Sequence, residues 1–270
     1  MGDLTANPWP TMESACGLGT LADSIPFQRV TRARGKPMIT SFVKSGAIAA
    51  ALAGAVLFLG AQRRIGSASA SAKIPAPTVD GPLATASRDE TVVFAGGCFW
   101  GIQAVFEHVR GVKSAVSGYA GGTVATPSYE DVSSGTTGHA ESVQVVFDAS
   151  QISLGKLLEI FFSVAHDPTQ KNRQGPDVGT QYRSAVFYLT DDQRRVTDAY
   201  IKQLTDAKTF ARPIVTQVSP LRTFYPAEAY HQHYAMLHPD SPYIATYDLP
   251  KVAALKERYP ALYREDVSSR

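Results

Sequence analysis

The sequence predicts an α+β fold, a two-layer sandwich built on a ferredoxin-like split βαβ core with an added helix, an added strand and long loops. Three observations carry that expectation. From residue 91 to residue 189 the elements alternate as strand, helix, strand, strand, helix, strand. The helical segments show apolar residues at helical spacing. Two long irregular stretches, 120–139 and 167–181, are rich in Gly, Thr, Ser, Pro and Asn, and loops of that length inside a domain carry function or stay disordered.

Each element has its own signal. Residues 91–95 form an apolar strand that stops at Gly96-Gly97. A helix over 99–109 follows, with Ile102, Val105, Phe106 and Val109 on one face and Gly111 as its stop. Strands are expected over 112–119 and 140–147. Ser153 is placed to cap a helix over 154–166, with Ile152 stapled onto Leu157. After a strand over 184–189, Thr190 and Gln193 form a capping box for a helix over 191–207, whose buried stripe is Val196, Tyr200 and Leu204. A last strand is expected over 214–218. The tail, 246–266, is expected to lie over the sheet as helical segments broken at Pro250 and Pro260, and nothing in it points to chemistry.

The first quarter of the chain reads differently. Residues 1–37 lack periodicity, and Met38 is an alternative start. Seventeen residues, 45–61 (SGAIAAALAGAVLFLGA), contain no charge and are followed by Arg63, Arg64 and the small-residue run at 67–72. Residues 38–72 are therefore expected to be a signal peptide cleaved after Ala70 or Ala72, or a short membrane anchor. Basic residues concentrated before the run keep the amino terminus inside, which predicts an exported, periplasmic or inner-membrane-anchored domain. Residues 73–90 read as a flexible Pro/Ala/Ser tether and 91–270 as the folded domain.

The net charge of +2 is unevenly spread. Seven basic and three acidic groups fall in residues 1–72, leaving 19 basic and 21 acidic, a balance of −2, for 73–270. A slightly acidic domain lacks the electrostatic footprint of a nucleic-acid binder. A monomer is expected, touching a membrane only through its amino-terminal segment. Of the two cysteines, Cys16 precedes the targeting segment, so a processed domain keeps Cys98 as its single thiol.

Cys98 falls where strand gives way to helix, at or beside the N-cap. Unpaired backbone N–H groups and the positive end of the helix dipole favour the thiolate there. Gly96, Gly97 and Gly101 around it lack Cβ bulk, which predicts a sulfur open to a ligand. Phe99 and Trp100 sit on the first helical turn and cannot both reach the core, so at least one is expected to form an apolar wall beside the sulfur. A thiolate of this kind fits several chemistries. A cysteine hydrolase needs a histidine base, for which His108, His139, His166, His231, His233 and His238 are candidates that spacing does not separate. A peptide-binding module needs only the Phe-Trp pocket. A zinc site needs three or four ligands and fits poorly with one cysteine and the His-Gln-His at 231–233, whose histidines, two apart, do not share a helix face.

Six blocks narrow the choice. GGCFWG at 96–101, SGYAGG at 117–122, SYEDV at 128–132, GHAESVQVVFD at 138–148, GPDVGTQYRSAVFY at 175–188 and AEAYHQHY at 227–234 together resemble the A-type peptide methionine sulfoxide reductases. The resemblance implies S-epimer-selective reduction of methionine sulfoxide, free or in oxidised proteins and peptides, with no bound cofactor or metal. It implies Cys98 as the nucleophile, Glu141 as the acid protonating the sulfoxide oxygen, and Tyr129 and Tyr182 as phenols bonded to that oxygen. It further implies Asp177 as an organiser of the site, and Phe99 and Trp100 as the pocket for the S-methyl group. The chemistry asks for such groups: a sulfoxide is a poor electrophile until its oxygen gains a proton, so a carboxyl kept neutral by apolar surroundings is required. Cys98 would finish as a sulfenic acid. Many members resolve it with one or two further cysteines near the carboxyl terminus, whereas residues 251–270 contain no sulfur. An external thiol reductant, thioredoxin-like or of low molecular weight, is therefore expected.

Overall fold

The computed structural model describes residues 74–267. The segments expected to be unstructured or membrane-targeting, and Cys16 with them, lie outside the described residues. Among the described residues, no helix is long and apolar enough to cross a membrane.

The first strand, β1 (Asp89–Gly96), leads through Gly97 and Cys98 into helix α1 (Phe99–Glu107). Then come β2 (Val112–Ala120), the short helix α2 (Tyr129–Ser133), β3 (Ala140–Asp148) and α3 (Leu154–Ile160). A two-residue pair, β4 (Arg173–Gln174) and β5 (Asp177–Val178), precedes β6 (Ser184–Tyr188) and the long helix α4 (Asp191–Asp206). The chain finishes with β7 (Gln217–Pro220), β8 (Phe224–Pro226), α5 (Tyr234–Leu237) and α6 (Leu249–Arg258). The main sheet has the order β7-β6-β1-β3-β2-β8 and is mixed, antiparallel except where β7 joins β6 in parallel. The fold is thus α+β.

Strand β1 is apolar on both faces because both faces are covered. Val92 and Phe94 enter the main core under the helices, where Phe94 stacks on Phe106 at 4.9 Å and on Phe161 at 4.7 Å. Val93 and Ala95 join a smaller cluster with Ala120, Ala140, Ala185 and Phe187. Burying a side chain of this size is worth about 1.5–3 kcal/mol, so β1 is a rigid platform for the turn that follows it.

Several expectations need correcting. Helix α1 was expected to bury one face, yet all nine of its residues are buried, because α5, the turn at Ile244–Asp248 and α6 pack on it from outside. The second helix stops at Ile160 and continues as a π turn over Phe161–Ala165, which releases His166 into extended backbone. Thr190 caps α4 as expected by accepting from Gln193 N–H, but the reciprocal bond of a capping box is displaced. Gln193 accepts from Leu189 N–H and donates to the Thr91 carbonyl at 2.9 Å, tying α4 to β1. The stripe Val196, Tyr200 and Leu204 is buried as read. The seventh strand begins at Gln217 rather than 214, since Val215 N–H goes to the Pro168 carbonyl instead of the sheet.

Residues 74–88 are not a loose tether. Ile74 is buried in the main core, Tyr200 donates to the Pro75 carbonyl at 2.8 Å, and Asp80 accepts from Ser153 and from Gly155 N–H at the start of α3. Nor does Pro250 break a helix. It stands in the first turn of α6, where a missing N–H costs nothing, and that helix ends before Pro260.

Candidate active site

Cys98 is the N-cap of α1 (φ −51°, ψ 123°), as the sequence predicts. The turn depends on Gly97 at φ +96°, where a side chain is strained and a Cβ would lie 2.5 Å from Gln174. The backbone N–H of Phe99, the first of the helix, donates to Glu141 Oε2 at 3.1 Å. This bond sets the acid of β3 against the residue next to the cysteine. Glu141 is 2% exposed, and burial raises its carboxyl to about 8. The Phe99 N–H works the other way, favouring the charged form, while the nearby Asp177 and Asp248 carboxylates add to the rise. Desolvation wins, and Glu141 carries a proton at neutral pH.

The expectation of an uncovered sulfur is not met: Cys98 is 4% exposed. The glycines expected to clear a path for a ligand accommodate protein instead. A Cβ on Gly101 would fall 2.1 Å from Asp248 Oδ1 and 2.7 Å from Lys251 Nζ, so the flank of α1 is where the tail seats. Gly97 likewise seats Gln174 of the β4–β5 pair.

Phe99 and Trp100 are 1% and 5% exposed, walls of an aromatic cage rather than surface groups. The cage centres on His231, absent from the expected site. Its ring lies 5.0 Å from Phe99, 5.9 Å from Trp100 and 4.4 Å from Tyr129. Trp100 Nε1–H donates to His231 Nδ1 at 3.2 Å, and Tyr234 stacks on the indole at 4.0 Å. Burial lowers His231 to about 4, so the imidazole is neutral and Nδ1 accepts. Glu228 braces the cage from below, accepting from Tyr129 N–H at 2.9 Å and from Tyr119 O–H at 2.8 Å.

Tyr129 opens α2, which the Ser128–Asp131 capping box starts. Tyr182 is buried at the end of a single turn, Thr180–Tyr182, that packs against β3. Asp177, on β5, is 5% exposed, and burial raises its carboxyl above the usual range while Tyr243 O–H, donated to its Oδ2 at 2.6 Å, opposes the rise. The structure thus gathers Cys98, Phe99, Trp100, Tyr129 and Glu141 around the amino end of α1, and brings Asp177 within electrostatic reach of Glu141. Sequence reasoning missed His231, Tyr243, Asp248 and Lys251. His231 was within reach, as part of the AEAYHQHY block, but no spacing singled it out.

Of the buried imidazoles, His166 binds the Phe161 carbonyl and Ser184 Oγ, His139 binds the Val124 carbonyl, and His231 Nδ1 accepts from Trp100 while its Nε2 has no hydrogen-bond partner among the described residues. Among the described residues, no group of three or more His, Cys, Asp or Glu is arranged to hold a metal ion.

A cysteine at a helix N-cap, an aromatic cage and a carboxylic acid held neutral by burial are parts that a thiol-dependent enzyme needs. Comparison with known proteins specifies which enzyme. Residues 90–262 match the family model described as peptide methionine sulfoxide reductase. The chain is 56% identical over 180 residues to peptide methionine sulfoxide reductase MsrA 2 of Mesorhizobium japonicum, covering 67% of this chain and 92% of that one. It is 53% identical over 188 residues to MsrA 2 of Synechocystis sp., covering 69% and 88%. Among solved structures, Mxr1 from Saccharomyces cerevisiae in reduced form is similar at 31% identity and a TM-score of 0.51, covering 59% of this chain and 94% of that one. The chain belongs to the peptide methionine sulfoxide reductase family, A type. Its activity is thiol-dependent reduction of methionine S-sulfoxide to methionine, a repair of oxidative damage.

Proposed function

We propose that Cys98 and Glu141 perform this reduction between them, with Phe99 and Trp100 receiving the S-methyl group and Tyr129, Tyr182 and Asp177 organising the sulfoxide oxygen. The thiolate of Cys98 attacks the sulfoxide sulfur while Glu141 gives its proton to the sulfoxide oxygen. The hydroxyl then passes from the substrate sulfur to the Cys98 sulfur: the substrate's S–O bond and the transient S–S bond break, a Cys98 S–O bond forms, methionine leaves reduced by two electrons, and Cys98 is left as a sulfenic acid, oxidised by two. The observation that carries this reading is the buried Glu141 carboxyl, raised to about 8 and bonded to the N–H of the residue after Cys98. It is an acid still protonated at neutral pH, placed one residue from the nucleophile.

Recycling falls to an external thiol, thioredoxin-like or small, because residues 251–270 hold no cysteine. One thiol displaces water from the sulfenic acid to give a mixed disulfide, and a second releases Cys98. The protein acts as a monomer. The uncharged run at 45–61 and the basic residues before it support export, with the catalytic domain outside the inner membrane. The ferredoxin-like reading of the core is supported by the order β6-β1-β3-β2, in which antiparallel β3 separates β1 from β2.

The test supplies a dithiol and each methyl-sulfoxide epimer separately. Wild-type protein should consume one epimer only, and Cys98→Ser none. A single turnover without reductant should leave one sulfenic acid at position 98. Consumption of both epimers, or an internal disulfide to Cys16 in the mature protein, would overturn the scheme.

A further inference from the structure

The stretch from Tyr243 into the tail reaches the groups of the site. Tyr243 donates its phenol to Asp177 Oδ2 at 2.6 Å, sets its ring edge-on to Trp100 at 6.1 Å, and packs on Tyr247 at 5.1 Å. Five residues on, Asp248 is fully buried against Gly101, paired with Lys251 Nζ at 3.0 Å. The glycine of the cysteine's own motif is what lets that pair seat. Tyr243 thereby lies between Trp100, which lines the methyl pocket, and Asp177, the organising acid.

We propose that Tyr243 is a positioning residue of this reductase: its O–H fixes the Asp177 carboxylate in the site, and the Asp248–Lys251 pair docked on Gly101 holds Tyr243 in place. The proposal rests on the active-site reading above. Burial comes first among the influences on the phenol, and the charges of Cys98, Asp248 and Asp177 reinforce it, driving its ionisation far above the usual range for tyrosine. Tyr243 is therefore a neutral donor at every working pH, never a base. Tyr243 holds Oδ2 of Asp177 and with it the orientation of the whole carboxyl. A carboxylate without that bond is free to rotate and, being buried, rises further toward neutrality.

The experiment uses the full chain and compares wild type, Cys98→Ser, Tyr243→Phe, Asp177→Asn and the double variant, under saturating dithiol and the reactive epimer. Tyr243→Phe keeps the ring and its packing, so its melting temperature should match wild type. Its kcat should fall ~10-fold, the worth of one hydrogen bond to a charged group, with KM unchanged. In the Asp177→Asn background the same substitution should cost almost nothing further, because one residue acts through the other. A Tyr243→Phe enzyme at wild-type kcat, a change confined to KM, or losses that simply multiply in the double variant would each overturn the proposal. If Tyr243→Phe loses stability as well, the double-variant comparison still decides, since a merely structural defect is additive to Asp177→Asn. Failure of the active-site reading shows separately, as an inactive wild type or an active Cys98→Ser.

Discussion

Two regions meet over one sulfur, and they are built by different physics. The turn from β1 into α1 is local: Gly97 at positive φ, Cys98 at the N-cap and Phe99 N–H on Glu141 follow from residues a few positions apart plus one strand pairing. The stretch from Glu228 to Lys251, which runs into the tail, is assembled by packing: His231 inside the aromatic cage, Tyr243 on Asp177, Asp248 in the space Gly101 leaves. The first region holds Cys98 and Glu141, the proposed nucleophile and acid, and the second decides how tightly they are enclosed. A site with only the first would hold the open thiolate that local reasoning predicts. With the second, Cys98 is 4% exposed.

The largest effect tests the local region. Glu141→Gln keeps the shape and removes the proton, so the reductase step should slow ~100- to 10,000-fold, measured as the rate of sulfenic acid formation in a single turnover. The same carboxyl makes activity pH-dependent. With its value near 8 in the folded protein, the protonated form is available below that pH, and the wild-type rate should fall as pH rises through it. Stability should move in the same sense. Raised from 4.5 to about 8, Glu141 contributes stability that is whole below about 4.5 and is lost as pH climbs to 8. Glu141→Gln should therefore gain melting temperature over wild type across that window, most at its alkaline end. A variant that is both inactive and equally less stable at every pH would contradict the buried neutral acid.

What was legible in the sequence follows the same division. Strand β1, the N-cap cysteine, the stripe Val196-Tyr200-Leu204 and the Ser153 cap were readable because each is set by residues within a turn or two of one another. The enclosure of α1 was not, because its outer face carries Gly101 and Trp100, which give no sign of whether ligand or protein will cover them. Residues 74–88 misled for a related reason. Composition rich in Pro, Ala and Ser describes a chain without its own periodicity, and Asp80 and Ile74 are held by partners on α3 and in the core that no local pattern announces. Glu141 lies between the two cases. Its place on the strand was clear, but its proton depends on burial by elements from the whole chain.

The next effect tests the tail's seat. Gly101→Ala places a methyl 2.1 Å from Asp248 Oδ1, a separation real contacts do not allow, so either α1 or the tail must shift. Overpacking of this kind costs on the order of 1–3 kcal/mol. Thermal denaturation should show that loss, and kcat should fall with it because Tyr243 moves too. If stability falls while kcat holds, the tail is cover and nothing more.

His231→Leu probes the aromatic cage. It removes the acceptor for Trp100 Nε1–H and leaves a buried donor unpaired, a penalty of about 1–3 kcal/mol. On the proposed role of Trp100 as a wall of the S-methyl pocket, the expected kinetic result is KM raised ~10-fold with a smaller change in kcat. Since burial holds the imidazole near 4, no histidine limb from this residue should appear in the wild-type profile near neutrality.

The smallest effect sets the two regions against each other at one residue. Tyr129 is placed twice: locally by the Ser128 cap of α2, whose Oγ accepts from Asp131 N–H at 3.2 Å, and at long range by Glu228, which accepts from Tyr129 N–H at 2.9 Å. Ser128→Ala removes a cap on the protein surface and should lower stability by about 1 kcal/mol with kcat and KM near wild type. Glu228→Gln leaves one amide group facing Tyr129 N–H and Tyr119 O–H, both donors, so one of them loses its acceptor inside the site. Its kinetic loss should exceed that of Ser128→Ala even if the two stabilities are equal. Should the order reverse, Tyr129 is held by its own helix, and the tail's hold on the site reaches no further than Trp100 and Asp177.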